Sequence, residues 1–296
     1  MKPKEYPAWF FYKTPPGRAL TAMLLGSGVN RVIEDFLRSG WSRPLILLYA
    51  RRHKIKVDSR YRSFREFFAR SRPPVNIDYA PEHLISPCDG YLTAYTIDAQ
   101  SGFKIKGSYY RVRDLIDDAL LARRFEGGVC LVIRLGASDY HHYCYIDDGY
   151  QGENHLIPGT LYSAQPLARE SFPVYTLNRR SWCLMSTRNF GPVVQTEIGS
   201  LAVGGIVNPR ENTRCCRGDE KGHFELAGST VVLLFQPNHV RLIGGIIRKS
   251  EDNREVRVRQ GMWIGNRCER TNDACERGKY HDDHTGNDRY RSIEQE

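Results

Sequence analysis

The chain has 296 residues, 41% of them hydrophobic and 26% charged, enough apolar content for a packed core and too even a mixture for a disordered or collagen-like polymer. Its nine surplus positive charges are unevenly placed: the first 72 residues carry 16 Lys and Arg against 5 Asp and Glu, and the other 224 carry 27 against 29. A basic head on a near-neutral body excludes a general nucleic-acid coat, and no nucleic-acid partner is expected.

The head alternates apolar clusters with cations. Trp9, Phe10, Phe11 and Tyr12 come first, then Val32, Ile33, Phe36 and Leu37, then the run from Pro44 to Ala50, followed at once by Arg51, Arg52, Lys54 and Lys56. Spacings of three and four predict short amphipathic helices over residues 1–72, punctuated by Pro15, Pro16, Gly26, Gly40 and Pro44. The longest uncharged apolar-leaning run, Ala19 to Asn30, has 12 residues, against the roughly 20 that a spanning helix needs. Apolar faces flanked by cations suit helices lying on an anionic phospholipid membrane. Packing of the same helices on the protein's own core is an equally open reading. Met1 is followed by Lys-Pro-Lys-Glu rather than an apolar run, and the eight cysteines include no CxxC pair. Free thiols in a reducing compartment are therefore expected, and no metal site.

From residue 73 to 265 the texture is β-rich. Val129 to Leu135, Val193 to Val207 and Thr230 to Phe235 predict buried strands, His239 to Ile247 a weaker one, and Val112 to Phe125 a helix. The polar stretch 266–296 predicts a disordered tail. The expected class is α+β: a mainly β body with N-terminal amphipathic helices.

Three places gather reactive residue types. Ser86-Pro87-Cys88-Asp89-Gly90 is a turn signature that predicts Asp89 at a loop tip beside a strand, although most such sequences are only turns. Asp139-Tyr140-His141-His142-Tyr143 follows the strand ending at Leu135; adjacent histidines on an extended backbone point to opposite faces, which argues against both binding one metal. Gly222-His223-Phe224-Glu225-Leu226-Ala227-Gly228-Ser229-Thr230 leads into an apolar strand. Gly-Ser-Thr at a strand start is usually a plain turn. It is also what self-cleavage requires, an unobstructed glycine carbonyl followed by a serine hydroxyl. No Gly-x-Ser-x-Gly elbow, P-loop or dinucleotide fingerprint is present.

With FYKTPPGRAL near the start, SPCDG at 86–90, FKIKGSYY at 103–110, DYHHYCYIDDG at 139–149 and RGDEKGHFELAGSTVVLLF at 217–235, the chain resembles the phosphatidylserine decarboxylase proenzymes from about Phe10 to Gly265. The resemblance implies self-cleavage between Gly228 and Ser229 into a β chain, 1–228, and an α chain, 229–296. Ser229 would become a covalent pyruvoyl group (the pyruvate cofactor) that forms a Schiff base with phosphatidylserine, giving phosphatidylethanolamine and carbon dioxide. It implies Ser229 as nucleophile, Asp89 as the orienting carboxylate and His141 as the base, with His142 second. Many relatives read Asp-Tyr-His-x-x-His; here the last position is Cys144, a poorer base because an unperturbed thiol is mostly protonated at neutral pH. A homo-oligomer, peripheral on the cytoplasmic face of a membrane, is the expected setting. Two alternatives stay open: a pyruvoyl-dependent decarboxylase of a soluble amino acid, and an uncleaved membrane-binding scaffold.

Overall fold

The computed structural model describes residues 14, 16–17, 27–57, 60–70, 76–100, 102–105, 108–159, 174–199, 205–225 and 229–268. The Trp9–Tyr12 cluster, the cleavage-site Gly228 and the expected disordered tail beyond 268 lie outside them.

The head supplies α1 (Ser27–Arg38), α2 (Arg43–His53) and α3 (Phe64–Phe68). Pro44 sits in the first turn of α2, where the missing N–H costs nothing, and Lys54 closes the helix in the left-handed region. Ile46 and Ala50, one turn apart on α2, pack with Phe64, Phe67 and Phe68 of α3 in a small aromatic cluster. Ser63 caps α3 through its hydroxyl and the Glu66 amide. Part of the head's apolar content is therefore spent on its own core. The rest is not: Val32, Phe36, Trp41, Leu47 and Leu48 are exposed.

The body is mainly β. Its strands are β1 (His83–Ile85), β2 (Gly90–Thr96), β3 (Gly102–Ile105), β4 (Ser108–Arg111), β5 (Val129–Leu135), β6 (His142–Cys144), β7 (Gly149–Gln151), β8 (His155–Ile157), β9 (Arg180–Thr187) and β10 (Gly191–Ile198). Then come β11 (Ile206–Val207), β12 (Thr213–Cys215), β13 (Glu220–Phe224), β14 (Ser229–Phe235), β15 (Val240–Leu242), β16 (Val256–Val258) and β17 (Trp263–Arg267). The body's helices are α4 (Val112–Ile116), α5 (Ala119–Arg123), α6 (Val174–Leu177) and α7 (Gly244–Glu251). The central sheet runs β12-β7-β9-β10-β14-β5-β2-β16, with β8 also on β9, and β11-β13-β6 and β1-β17-β15 form smaller sheets.

The predicted strands at 129–135 and 230–235 are β5 and β14, neighbours at the sheet's centre with every register pair from Ser229–Leu135 to Phe235–Val129 intact. Alternation divides their side chains. Leu131, Ile133, Leu135, Val231, Leu233 and Phe235 join one core, and Cys130, Val132, Val232 and Leu234 join another on the opposite side.

Four expected elements differ. The strand expected over 193–207 ends at Ile198 as β10, and Ile206–Val207 is β11 of another sheet. Asn266 and Arg267, expected in the tail, instead close β17. The single helix over 112–125 is two, α4 and α5, because Asp117 takes a left-handed conformation and Asp118 then caps α5 by accepting from the Leu121 amide. The strand expected over 239–247 ends at Leu242. Ile243, Ile246 and Ile247 recur at helical spacing, and they begin α7, which packs on the first core through Ile246.

Candidate active site

Three strand ends meet at one rim of the central sheet. Ser229 opens β14 opposite Leu135, the last residue of β5. Across β5 from it, Tyr91 of β2 pairs with Arg134, which brings Gly90 and the preceding Asp89 to the same rim. Four residues beyond Leu135 the chain reaches Asp139 and turns back into β6 with His141 at its threshold. Gly90 belongs here for a steric reason: a Cβ at this position would lie 2.8 Å from the Arg134 carbonyl oxygen. By the alternation of β14, Ser229 faces the same side as Val231 and Leu233, where Cys88, Tyr143 and Cys144 are packed.

His141 is buried, its ring 4.3 Å from that of Phe68 between centroids. Its Nδ1 lies 2.9 Å from the Asp139 carbonyl oxygen. A carbonyl only accepts, so Nδ1 carries the proton and Nε2 holds the lone pair. That Nε2 is buried without a hydrogen-bond partner among the described residues, and so is the Ser229 Oγ. Burial pulls the His141 pKa down to about 4, against the opposing pull of the Asp139 carbonyl, so the ring is neutral at pH 7. A neutral imidazole with an unused lone pair and a serine hydroxyl with an unused proton, both screened from water, are the components of general-base activation of a nucleophile.

Asp139 holds this turn in place. One carboxylate oxygen accepts from the Gly136 amide and the other from the Arg257 guanidinium, each at 2.6 Å. Arg257 lies 118 residues away in sequence, beyond the reach of any local motif.

The SPCDG segment is the expected turn beside a strand, with Asp89 directly before β2, and it is packed inside: Ser86 to Gly90 are all buried, and the Pro87 carbonyl accepts from the Cys144 amide at 2.8 Å. Asp89 receives the Gln260 amide at 2.9 Å. Among the described residues it is the Asp139 carbonyl that takes His141 Nδ1, in place of the Asp89 carboxylate expected there, and His141 Nε2 has no partner. The turn carrying Asp89 is pinned to Cys144 through the Pro87 carbonyl. His142, the second candidate base, faces elsewhere. Its Nε2 lies 3.1 Å from the Ala69 carbonyl, its Nδ1 faces Glu220, and its ring stacks on Tyr140 and His223. The expectation that the adjacent histidines face opposite ways matches this arrangement.

One cluster on the Ser229 side was not anticipated. Lys221 and Glu197 are fully buried and joined at 2.8 Å. Asn208 and Gln195 donate to the same carboxylate, and Tyr143 donates to Asn208 Oδ1. Burial lowers the Lys221 pKa, but Cys183 and the Glu197 carboxylate outweigh it, so the ammonium is held above its ordinary value. Glu197 is one strand over from the reacting positions, paired with Val231 two residues past Ser229, and Lys221 reaches it from β13 in the smaller sheet. The available signal was a glutamate inside an otherwise buried strand run, since fully buried carboxylates are almost always paired.

The family model for phosphatidylserine decarboxylase matches residues 63–266. Among curated proteins, the phosphatidylserine decarboxylase proenzyme 2 of Clostridium acetobutylicum is 35% identical over 86% of this chain and 90% of its own length. The phosphatidylserine decarboxylase proenzyme of Clostridium botulinum strain Eklund 17B is 37% identical over 70% and 72%, and that of Ruminiclostridium cellulolyticum 35% over 86% and 89%. The matched span runs from the cap of α3 to β17 and contains every site residue described above, and by it the chain belongs to the phosphatidylserine decarboxylase family, carboxy-lyases made as proenzymes.

Proposed function

We propose that this protein cleaves its own chain at Ser229 and then decarboxylates phosphatidylserine to phosphatidylethanolamine. The observation that carries the reading is the pair of orphaned buried atoms, Ser229 Oγ and His141 Nε2, on segments that share one sheet rim. In the first step His141 Nε2 takes the hydroxyl proton and Ser229 Oγ adds to the Gly228 carbonyl carbon. The C–N bond breaks, the proton passes to the freed Ser229 nitrogen, and the peptide becomes an ester. Loss of the Ser229 α-proton expels the Gly228 carboxylate and leaves a dehydroalanine, which takes up one water and releases ammonia to give the pyruvoyl group. Ser229 fits this fate, because a hydroxyl on a dry, fully packed strand end has no competing water to solvate it.

The pyruvoyl group supplies a ketone that condenses with the substrate amine and accepts the electron pair left by departing carbon dioxide. His141 keeps its Nε2 lone pair directed by the Asp139 carbonyl, ready to hold a proton and return it at the carbon that loses carbon dioxide. Arg257 and Asp139 keep that turn rigid, and Phe68 excludes water from the ring face.

Intact mass tests the first half. Wild type gives two chains, of 228 and 68 residues before modification, the shorter one blocked to N-terminal sequencing, and Ser229→Ala gives one. A single uncleaved wild-type chain would mean a scaffold instead. Carbon dioxide release from phosphatidylserine vesicles, compared with soluble amino acids, tests the second half.

A lipid substrate needs a docking surface, and we place it on the head, at the cytoplasmic face of the membrane. Trp41 and Leu48 are 85% and 67% exposed, and Leu47 is exposed beside them in a helix that also carries the exposed Arg43, Arg51 and Arg52. Among the described residues no helix is long and apolar enough to cross a bilayer. Trp41→Ser with Leu47→Ser and Leu48→Ser is expected to abolish co-sedimentation with anionic vesicles while self-cleavage proceeds at the wild-type rate. Undiminished vesicle binding would remove the head from this role.

A further inference from the structure

His142, Glu220 and His223 form a cluster that the reaction does not use. Their ligand atoms all lie within 4.8 Å of one another. His142 and Glu220 come from β6 and β13, which pair with each other, and His142 sits opposite His223 in the register.

The hydrogen-bonding pattern of His142 makes the cluster unusual. Its Nε2 is 3.1 Å from the Ala69 carbonyl oxygen, an acceptor, so Nε2 carries a proton and a neutral ring presents its lone pair at Nδ1. His142 is 95% buried. Its Nδ1 and that of His223 are buried without a hydrogen-bond partner among the described residues. Both nevertheless approach one carboxylate oxygen: Glu220 Oε1 lies 3.1 Å from the first and 3.6 Å from the second. A buried imidazole lone pair beside a carboxylate at that range is unfavourable unless a proton or a metal cation is shared between them.

We propose that this cluster is a binding site for a divalent transition-metal ion of the zinc type, held by His142 Nδ1, His223 Nδ1 and the Glu220 carboxylate. Two imidazoles and one carboxylate are a borderline-soft donor set of the kind zinc accepts. An ion about 2.0–2.2 Å from each donor sets tetrahedral donors about 3.3 Å apart, and the two nitrogen–oxygen separations bracket that value. Glu220 is half exposed, with room to swing onto the ion. The Ala69 carbonyl plays the supporting part usual for ligating histidines, fixing tautomer and ring orientation through the other nitrogen. All three ligands precede Ser229, so they stay on one chain after cleavage. The ion clamps β6 to β13 and, through Ala69, to the end of α3. Its role is structural, and the site is separate from the Ser229 rim.

The test is equilibrium dialysis of EDTA-stripped, full-length protein against Zn2+, with metal quantitation per chain. One tight equivalent is expected, retained by His281→Asn with His284→Asn and lost by His142→Asn with His223→Asn. Because that last pair alters buried positions, Glu220→Gln at its half-exposed site gives an independent reading: roughly tenfold or weaker zinc affinity with an unchanged circular-dichroism spectrum. Co2+ substitution should give visible ligand-field bands that disappear in the double histidine variant. No tight equivalent in the wild type, equal zinc in the histidine double variant, or unaltered affinity in Glu220→Gln would each overturn the site.

Discussion

Along β14, Ser229, Val231, Leu233 and Phe235 project to one side of the central sheet, and Val232 and Leu234 project to the other. The two sides are packed on different terms. On the far side, Val232 and Leu234 meet Val112, Leu115 and Ile116 from α4 together with Tyr110 and Trp182, an apolar layer. A cation placed deep there, Arg180, ends on the backbone carbonyls of Leu115, Thr176, Asn178 and Asp114. On the near side, the cover is the small β11-β13-β6 sheet and the inserted SPCDG turn, and its Lys221, with Asn208 just past β11, meets Glu197 and Gln195 of β10 in the interior. Ordinary packing needs only the first arrangement. The second buries charge, which costs stability unless every member is satisfied, and it sits on the side that holds the nucleophile.

Breaking the buried pair should therefore have the largest effect. Lys221→Met leaves the Glu197 carboxylate uncompensated and is expected to destabilise the fold by about 3–5 kcal/mol, read by denaturant unfolding. Adding Glu197→Gln removes the stranded charge and should restore most of that loss. If the double variant is as unstable as the single one, the pair is not the unit that matters and the contrast between the faces fails. The close approach of the backbone here also explains Gly222 between Lys221 and His223: a Cβ would collide with the Val207 carbonyl oxygen and crowd the Tyr143 hydroxyl.

How much of this was legible in the sequence follows from the range of each interaction. β5 and β14 were readable because continuous apolar runs mark strands buried on both sides. Ser229 and His141 stood out because their local contexts are chemically unusual, one at a glycine-serine junction and the other just past a strand end. The break between α4 and α5 was missed because the apolar spacing of Leu115, Ile116, Leu120 and Leu121 continues across Asp117, and only its left-handed backbone interrupts the helix. The assignment of Asp89 as the partner of His141 rested on motif order. In the fold the nearer Asp139 supplies its backbone carbonyl, a group that no side-chain pattern reports. Lys221 with Glu197, and Arg257 with Asp139, are 24 and 118 residues apart; they meet only after the sheet has formed, so local periodicity carries no trace of them.

The smallest expected effect gives the sharpest comparison, because it uses two neighbouring residues of the same type on the same strand. Val231 and Val232 are both fully packed, in register with Glu197 and Thr196 on one side of β14 and with Ile133 and Val132 on the other. Truncating either to alanine removes two buried methyl groups and should cost about 2 kcal/mol, the transfer loss plus a small cavity. Equal stability loss is expected from Val231→Ala and Val232→Ala by chemical denaturation. Their processing should differ. The void at 231 opens on the face of Ser229, two residues along, and lets the hydroxyl and the buried carboxylate beside it shift. Attack geometry tolerates little displacement, so self-cleavage of the newly made chain, followed on a gel, should slow by roughly tenfold or more. The void at 232 opens into the helix-packed layer, where β14 itself stands between the cavity and the nucleophile, and cleavage should keep its wild-type rate. Equal slowing in both variants would mean that processing responds to overall stability rather than to the face on which packing is lost.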